Sequence, residues 1–165
     1  MAIKPIEHSQ ISPPPATVGP RSLPLTFFDI TWLLFPPIHH LFFYQFPHSK
    51  SHFLQTLLPN LKHSLSLTLQ HFFPFAGNLI VFNAIRKPEI RYAQGDSVAL
   101  TVSECDLDFD HLTGDHRPRR CDLFYPLIPP LGSPVNELDY VKLPLFSIQI
   151  TVFPGSGFAI GMTNH

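Results

Sequence analysis

Nineteen prolines in 165 residues constrain this chain more than any other feature. Each locks one backbone dihedral and removes one amide donor, so prolines break helices and fix loops. They are spread along the chain, some in a triplet at Pro13 to Pro15 and in pairs at Pro36-Pro37 and Pro129-Pro130, and form no repeat. The longest helical signal is "SHFLQTLLPNLKHSLSLTLQHFF". There Leu54, Leu58, Leu61, Leu65, Leu69 and Phe72 follow steps of three and four and make one apolar stripe. Pro59 should kink this helix or start a new one near Asn60. "PFAGN" stops it, with Gly77 able to supply a left-handed turn residue.

The remaining elements read mostly as strands. Residues 1–24 alternate proline, serine and small residues, which suits an extended segment ordered by what it lies against. "LPLTFFDITWLLF" is dense in β-branched and aromatic residues and reads either as a buried strand or as a short helix. Asp29, alone in that apolar stretch, needs an edge position or hydrogen-bond partners. The uncharged run from Ile30 to Pro47 reads as buried structure, because Pro36, Pro37, His39 and His40 exclude a clean membrane helix. "EIRYA" and "VALTVSE", separated by "QGDS", carry a hairpin signal. Residues 106–142 show little periodicity and read as a long irregular connection, a length that points to a larger assembly.

The chain's last element runs "PLFSIQITVF", turns at "PGSG" and returns as "FAIGMTN". Phe146, Ile148, Ile150 and Val152 share one face of the first arm. In the second arm Phe158, Ile160, Met162 and Asn164 share a side, leaving Ala159, Gly161, Thr163 and His165 on the other. Small residues on the histidine's face leave room for something to lie against it.

Charge and cysteine content narrow the function classes. Only 14% of residues are charged, against about 25% in an average soluble protein, while 44% are apolar. Such a surface suits apolar faces meant for a partner domain. The formal net charge is -1, and Arg117, Arg119 and Arg120 are the one basic cluster, so the electrostatic footprint of nucleic-acid binding is missing. Cys105 and Cys121 form no CxxC spacing, and the N-terminus has no apolar export region, which makes a reducing cytoplasm the default location. His48 and His52 stand at i, i+4 but lack a third ligand or an HExxH pattern, so no metal site is expected. "GPRSLP" and "PGSG" lack phosphate-loop spacing and read as turns.

Taken together, "LTFFD", "LQHFFPFAGNL" and "SGFAIGMTNH" resemble the plant BAHD acyltransferases, in order along nearly the whole chain. The closest flavour is the branch that acylates sugars of flavonoid and anthocyanin glucosides. The resemblance implies an α/β fold like chloramphenicol acetyltransferase, a mixed sheet with flanking helices in the N-terminal part of a two-domain enzyme. The family signature HxxxD is entered but not completed, and the downstream DFGWG motif is missing. Residues 1–165 are therefore expected to be an N-terminal acyltransferase domain cut at the start of HxxxD, from an enzyme more than twice its length, with the C-terminal domain absent.

The implied chemistry is transfer of a malonyl or hydroxycinnamoyl group from an acyl-CoA co-substrate to a phenolic glycoside, with no tightly bound cofactor. A histidine acts as general base, which suits imidazole because it is mostly neutral near pH 7 and still accepts a proton. Some members carry one histidine after the asparagine and others two, so His165 is either that base or its immediate neighbour. Asp29, Thr26 and Trp32 are read as structural. Family members are usually monomeric, and neither nucleic acid nor membrane is implied as a partner. The incomplete chain is expected to be inactive alone; the alternative is a non-catalytic truncated product or interaction module.

Overall fold

The structure is a computed structural model that describes residues 3–33, 35–114, 118 and 120–165. Strand β1 (Ile3–Ile11) and strand β2 (Arg21–Pro24) form from the extended N-terminal segment. Helix α1 (Phe27–Trp32) follows, then strand β3 (Ile38–Gln45). A helical stretch consists of α2 (Lys50–His52), a π-turn (Phe53–Leu57) and α3 (Leu58–His71). Strands β4 (Asn78–Phe82), β5 (Glu89–Tyr92) and β6 (Val98–Cys105) precede the short helix α4 (Phe109–Thr113). Two 3-10 turns, Cys121–Leu123 and Tyr125–Leu127, lead to β7 (Val135–Asn136), β8 (Tyr140–Pro144), β9 (Phe146–Phe153) and β10 (Gly157–Asn164).

Among the described residues the strands form two five-stranded sheets, ordered β1-β6-β9-β10-β3 and β2-β5-β4-β8-β7. The first is mixed, because β6 and β9 run parallel while its other pairs are antiparallel. Its two faces differ in chemistry. Val98, Leu100, Val102, Ile148, Ile150, Val152 and Phe158 pack with Phe53, Leu58 and Leu69 of the helical stretch. On the opposite face Ala159, Cys105 and Phe153 pack with Phe109 and Leu112 of α4 and with Leu127.

Pro59 sits in the first turn of α3, immediately after the π-turn in which the Leu58 N–H reaches the Phe53 carbonyl. The widened turn lets the axis continue past a residue that lacks a donor. The expected stripe holds from Leu54 to Leu69, but Phe72 is 57% exposed, and Phe73 takes its place against the core. Phe72 has left helical geometry (φ -113°, ψ 41°), so the 3.6-residue period no longer points it inward.

Four other expectations are corrected. "QGDS" does turn, with Gly95 at φ 95° and the Asp96 N–H on the Ala93 carbonyl, yet β5 and β6 part into different sheets. Both edges of each strand are taken by others: β2 and β4 flank β5, and β1 and β9 flank β6. Gly77 does not adopt a positive φ. It is required because a β-carbon there would lie 2.7 Å from the Arg91 carbonyl oxygen. The run from Ile30 to Pro47 is largely exposed, as β3 is an edge strand with Ile38 52% and Phe42 44% accessible. Residues 106–142 carry α4, two 3-10 turns and two strands, with Leu112 and Leu127 buried. Of the basic cluster, Arg117 and Arg119 lie outside the described residues; Arg120 is exposed and paired with Asp122.

Candidate active site

The β9-β10 hairpin delivers the C-terminal histidine to the edge of a cleft. Its loop turns at Gly155 (φ 81°), and the register runs from Gly157 opposite Phe153 to Asn164 opposite Phe146. The His165 N–H then donates to the Leu145 carbonyl at 3.0 Å, so the ladder holds its backbone one residue beyond β10. The neighbouring cleft has a volume of about 530 Å³. Leu25, Leu79 and Leu145 form its base, a buried cluster under the second sheet. Trp32, Phe35 and Ile38 form an aromatic and aliphatic wall, and Asp29, Asn164 and His165 supply polar groups.

Helix α1 places that wall, and local chemistry explains why the stretch became helical. Thr26 caps it: the Asp29 N–H donates to the Thr26 hydroxyl oxygen, while the Thr26 N–H and hydroxyl both donate to the Asp29 carboxylate at 2.7 Å. This reciprocal cap supplies partners at a helix start whose first amides have none within the helix. The Thr26 hydroxyl and then its N–H hold the Asp29 carboxyl below its ordinary range. Asp29 is thus engaged at the rim in a structural bond, as its isolation in the sequence required.

The room expected beside the small face of β10 is filled by the chain itself. Gly161 stands so close to the carbonyl of Leu127 that a β-carbon would meet its oxygen at 2.1 Å. Polar side chains on the same face then bind carbonyls of residues 126–130. The Ser147 hydroxyl donates to Pro130, the Gln149 amide to Pro126 and the Thr163 hydroxyl to Pro129. Pro126, Pro129 and Pro130 have no N–H, and the Leu127 and Ile128 N–H groups donate back to the Phe124 and Tyr125 carbonyls, so the segment meets these strand side chains through its carbonyl acceptors. Sequence reasoning missed these three residues. The signal available was polar residues at alternate positions, Ser147, Gln149 and Thr151, in an otherwise apolar strand.

The other histidines are dispersed. His48 and His52 face each other with ring centroids 5.1 Å apart, and the His48 carbonyl accepts from Gly155 at the opposite end of β10 from His165. His63 is exposed on α3. His39 contacts Thr163 through its Nδ1 at 3.0 Å. No described helix is long and apolar enough to cross a membrane.

The Transferase family model matches residues 1–165. The chain belongs to this family, the BAHD transferases. Relatives of this BAHD chain include malonyl-coenzyme A:anthocyanin 3-O-glucoside-6''-O-malonyltransferase of Dahlia pinnata, 66% identical over 164 residues, covering 97% of this chain and 35% of that protein. Malonyl-coenzyme:anthocyanin 5-O-glucoside-6'''-O-malonyltransferase of Salvia splendens is 48% identical, covering 97% of this chain and 34% of the relative. The BAHD chain thus spans about a third of the length of these relatives. The crystal structure of vinorine synthase superposes with a TM-score of 0.63 at 20% identity, over 99% of this chain and 38% of that one. The fold is therefore the chloramphenicol acetyltransferase-like α/β arrangement, with a mixed sheet and flanking helices.

Proposed function

We propose that this chain is the N-terminal acyltransferase domain of a two-domain enzyme that moves a malonyl or hydroxycinnamoyl group from coenzyme A to a hydroxyl of a phenolic or flavonoid glucoside. The observation that carries this reading is the position of His165, held by the β9 ladder at the mouth of an apolar, aromatic-walled cleft. Relatives that carry malonyltransferase names supply the donor and acceptor classes. His165, or the residue that follows it, removes the proton from the acceptor hydroxyl as that oxygen attacks the thioester carbonyl. The C–O bond forms, the C–S bond breaks, and the coenzyme A thiolate leaves and takes up a proton. General-base help of this kind contributes roughly 10²–10⁴-fold, and orientation of both substrates contributes more. Successive strand residues point to opposite faces, so which of the two positions is the base decides which side of the sheet the acceptor approaches.

The test is a chimera in which these 165 residues replace the matching segment of the Dahlia relative. The chimera should release coenzyme A from malonyl-CoA with an anthocyanin 3-O-glucoside, and the 165-residue chain alone should release none above background. A folded but silent chimera, or turnover by the chain alone, contradicts the proposal. A second reading, a non-catalytic interaction module, is favoured by the exposed rings of Phe27, Phe28 and Trp32 and is the one a silent chimera would support.

A further inference from the structure

We infer that His39 is a positioning residue for the histidine-bearing end of β10, acting through the Thr163 hydroxyl on the proline segment 126–130. Thr163 is 1% exposed, and its oxygen lies 2.5 Å from the Pro129 carbonyl oxygen and 3.0 Å from His39 Nδ1. A carbonyl only accepts, so the single hydroxyl proton of Thr163 belongs to the Pro129 bond. Toward His39 the hydroxyl is then an acceptor, and His39 Nδ1 must carry a hydrogen. Neutral His39 is therefore the Nδ1–H tautomer.

The geometry joins three segments that are remote in sequence. His39 and Thr163 stand directly opposite each other in the antiparallel β3-β10 pair. Pro129 belongs to the segment that Gly161 admits at close range. With a side-chain period of two, Thr163 and His165 project on the same face. The β3 backbone register ends at Ile38 opposite Asn164, while His165 has its backbone bond on the β9 side. On the β3 side, among the described residues, the His39-Thr163 contact is the side-chain tie that lies next to His165. Loosening it frees the flank of β10 that faces away from the Leu145 bond, and small misplacements of a reacting group can cost up to about 10²-fold in rate.

The catalytic meaning of this role rests on the proposed acyltransferase function, so the test has two arms. In the 165-residue chain, long-range proton-nitrogen NMR correlations report the His39 tautomer, and amide exchange reports the order of the His165 N–H. The Nδ1–H form is expected. His39→Gln, whose amide nitrogen falls near the Nε2 position, should speed His165 exchange about tenfold, whereas His39→Asn, whose nitrogen falls near Nδ1, should stay within about twofold. In the chimera, His39→Gln should lower kcat about tenfold with KM unchanged, and His39→Asn should restore it to within about twofold. His8→Gln, at the comparable but exposed His8-Thr101 contact of the β1-β6 pair, is the control and should alter neither readout. An Nε2–H tautomer at His39, or Gln and Asn variants that behave alike, overturns the inference. A silent parent chimera defeats the proposed function alone, and the tautomer and exchange data then decide the positioning role.

Discussion

Gly161→Ala is the sharpest probe of how the candidate site is built. A β-carbon at this position would sit 2.1 Å from the Leu127 carbonyl oxygen and 3.1 Å from the Ile128 α-carbon. Both obstacles are backbone atoms, which cannot swing aside as a flexible side chain can. Restoring ordinary contact at about 3.5 Å requires a relative shift of roughly 1 Å or more between β10 and the proline segment. That movement stretches the Thr163-Pro129 and Gln149-Pro126 bonds, now 2.5 and 2.9 Å, toward the limit of hydrogen bonding. Overpacking costs about 1–3 kcal/mol, and two weakened bonds add about 1 kcal/mol each, so a loss of about 3–5 kcal/mol is expected. For a chain of this size that lowers the thermal midpoint by about 10 °C. Far-UV circular dichroism melts would measure it, with Gly19→Ala as the control because nothing lies within 4 Å of its β-carbon. A Gly161→Ala midpoint within about 2 °C of the parent would refute the argument that close backbone approach is why this position is glycine.

Glu89 tests the second sheet. Burial raises its carboxyl pKa, but hydrogen bonds from Arg91 and Ser22 and the charges of Arg91 and Arg86 outweigh it and hold the group below its ordinary value. A folded-state pKa below the unfolded one means that the stabilisation is complete above the ordinary value of 4.5 and is lost as pH falls through the folded value. Glu89→Gln should therefore be less stable by about 1–3 kcal/mol at pH 7, with the gap closing in acid; an equal gap at pH 3 and pH 7 in urea titrations would exclude it. Thr26→Ala should release the cap of α1, seen as roughly fivefold faster exchange of the Asp29 amide, while β10 amides stay unchanged. Unaltered exchange would show that α1 is held by packing alone. Phe53→Ala, at a fully buried ring between the helical stretch and the first sheet, should cost about 3–5 kcal/mol by calorimetry.

Much of the element content was legible because it is written in local pattern. The leucine stripe marked the helix from Leu54 to Leu69, and alternation marked β9 and β10 with the turn between them. Ambiguity in "LTFFDITW" came from weighing periodicity over capping. Thr26 and Asp29, three apart, are the cue that the stretch opens a helix. The hairpin expected at 93–97 failed for another reason. A turn dipeptide specifies that the chain reverses, but the two arms pair only if their edges are not claimed by other strands. Strand β5 finds β4 and β2, and β6 finds β1 and β9, through partners up to about a hundred positions away.

At the candidate site the same division holds. The strand that leads to His165 was legible, since its alternation is a local feature. Its surroundings were not. Nothing near Thr163 in the sequence points to Pro129, 34 residues back, or to His39, 124 residues back.

By itself the sequence determined the long helix, the β9-β10 hairpin, which turns reverse the chain, and the family, because periodicity and motifs are properties of neighbouring residues. Only the tertiary structure decided that β5 and β6 separate, that β3 is an exposed edge, and that the segment from Pro126 to Pro130 occupies the face beside the histidine. These are choices of partner among distant segments, settled by which faces and hydrogen-bonding groups remain unmatched when the whole chain packs at once.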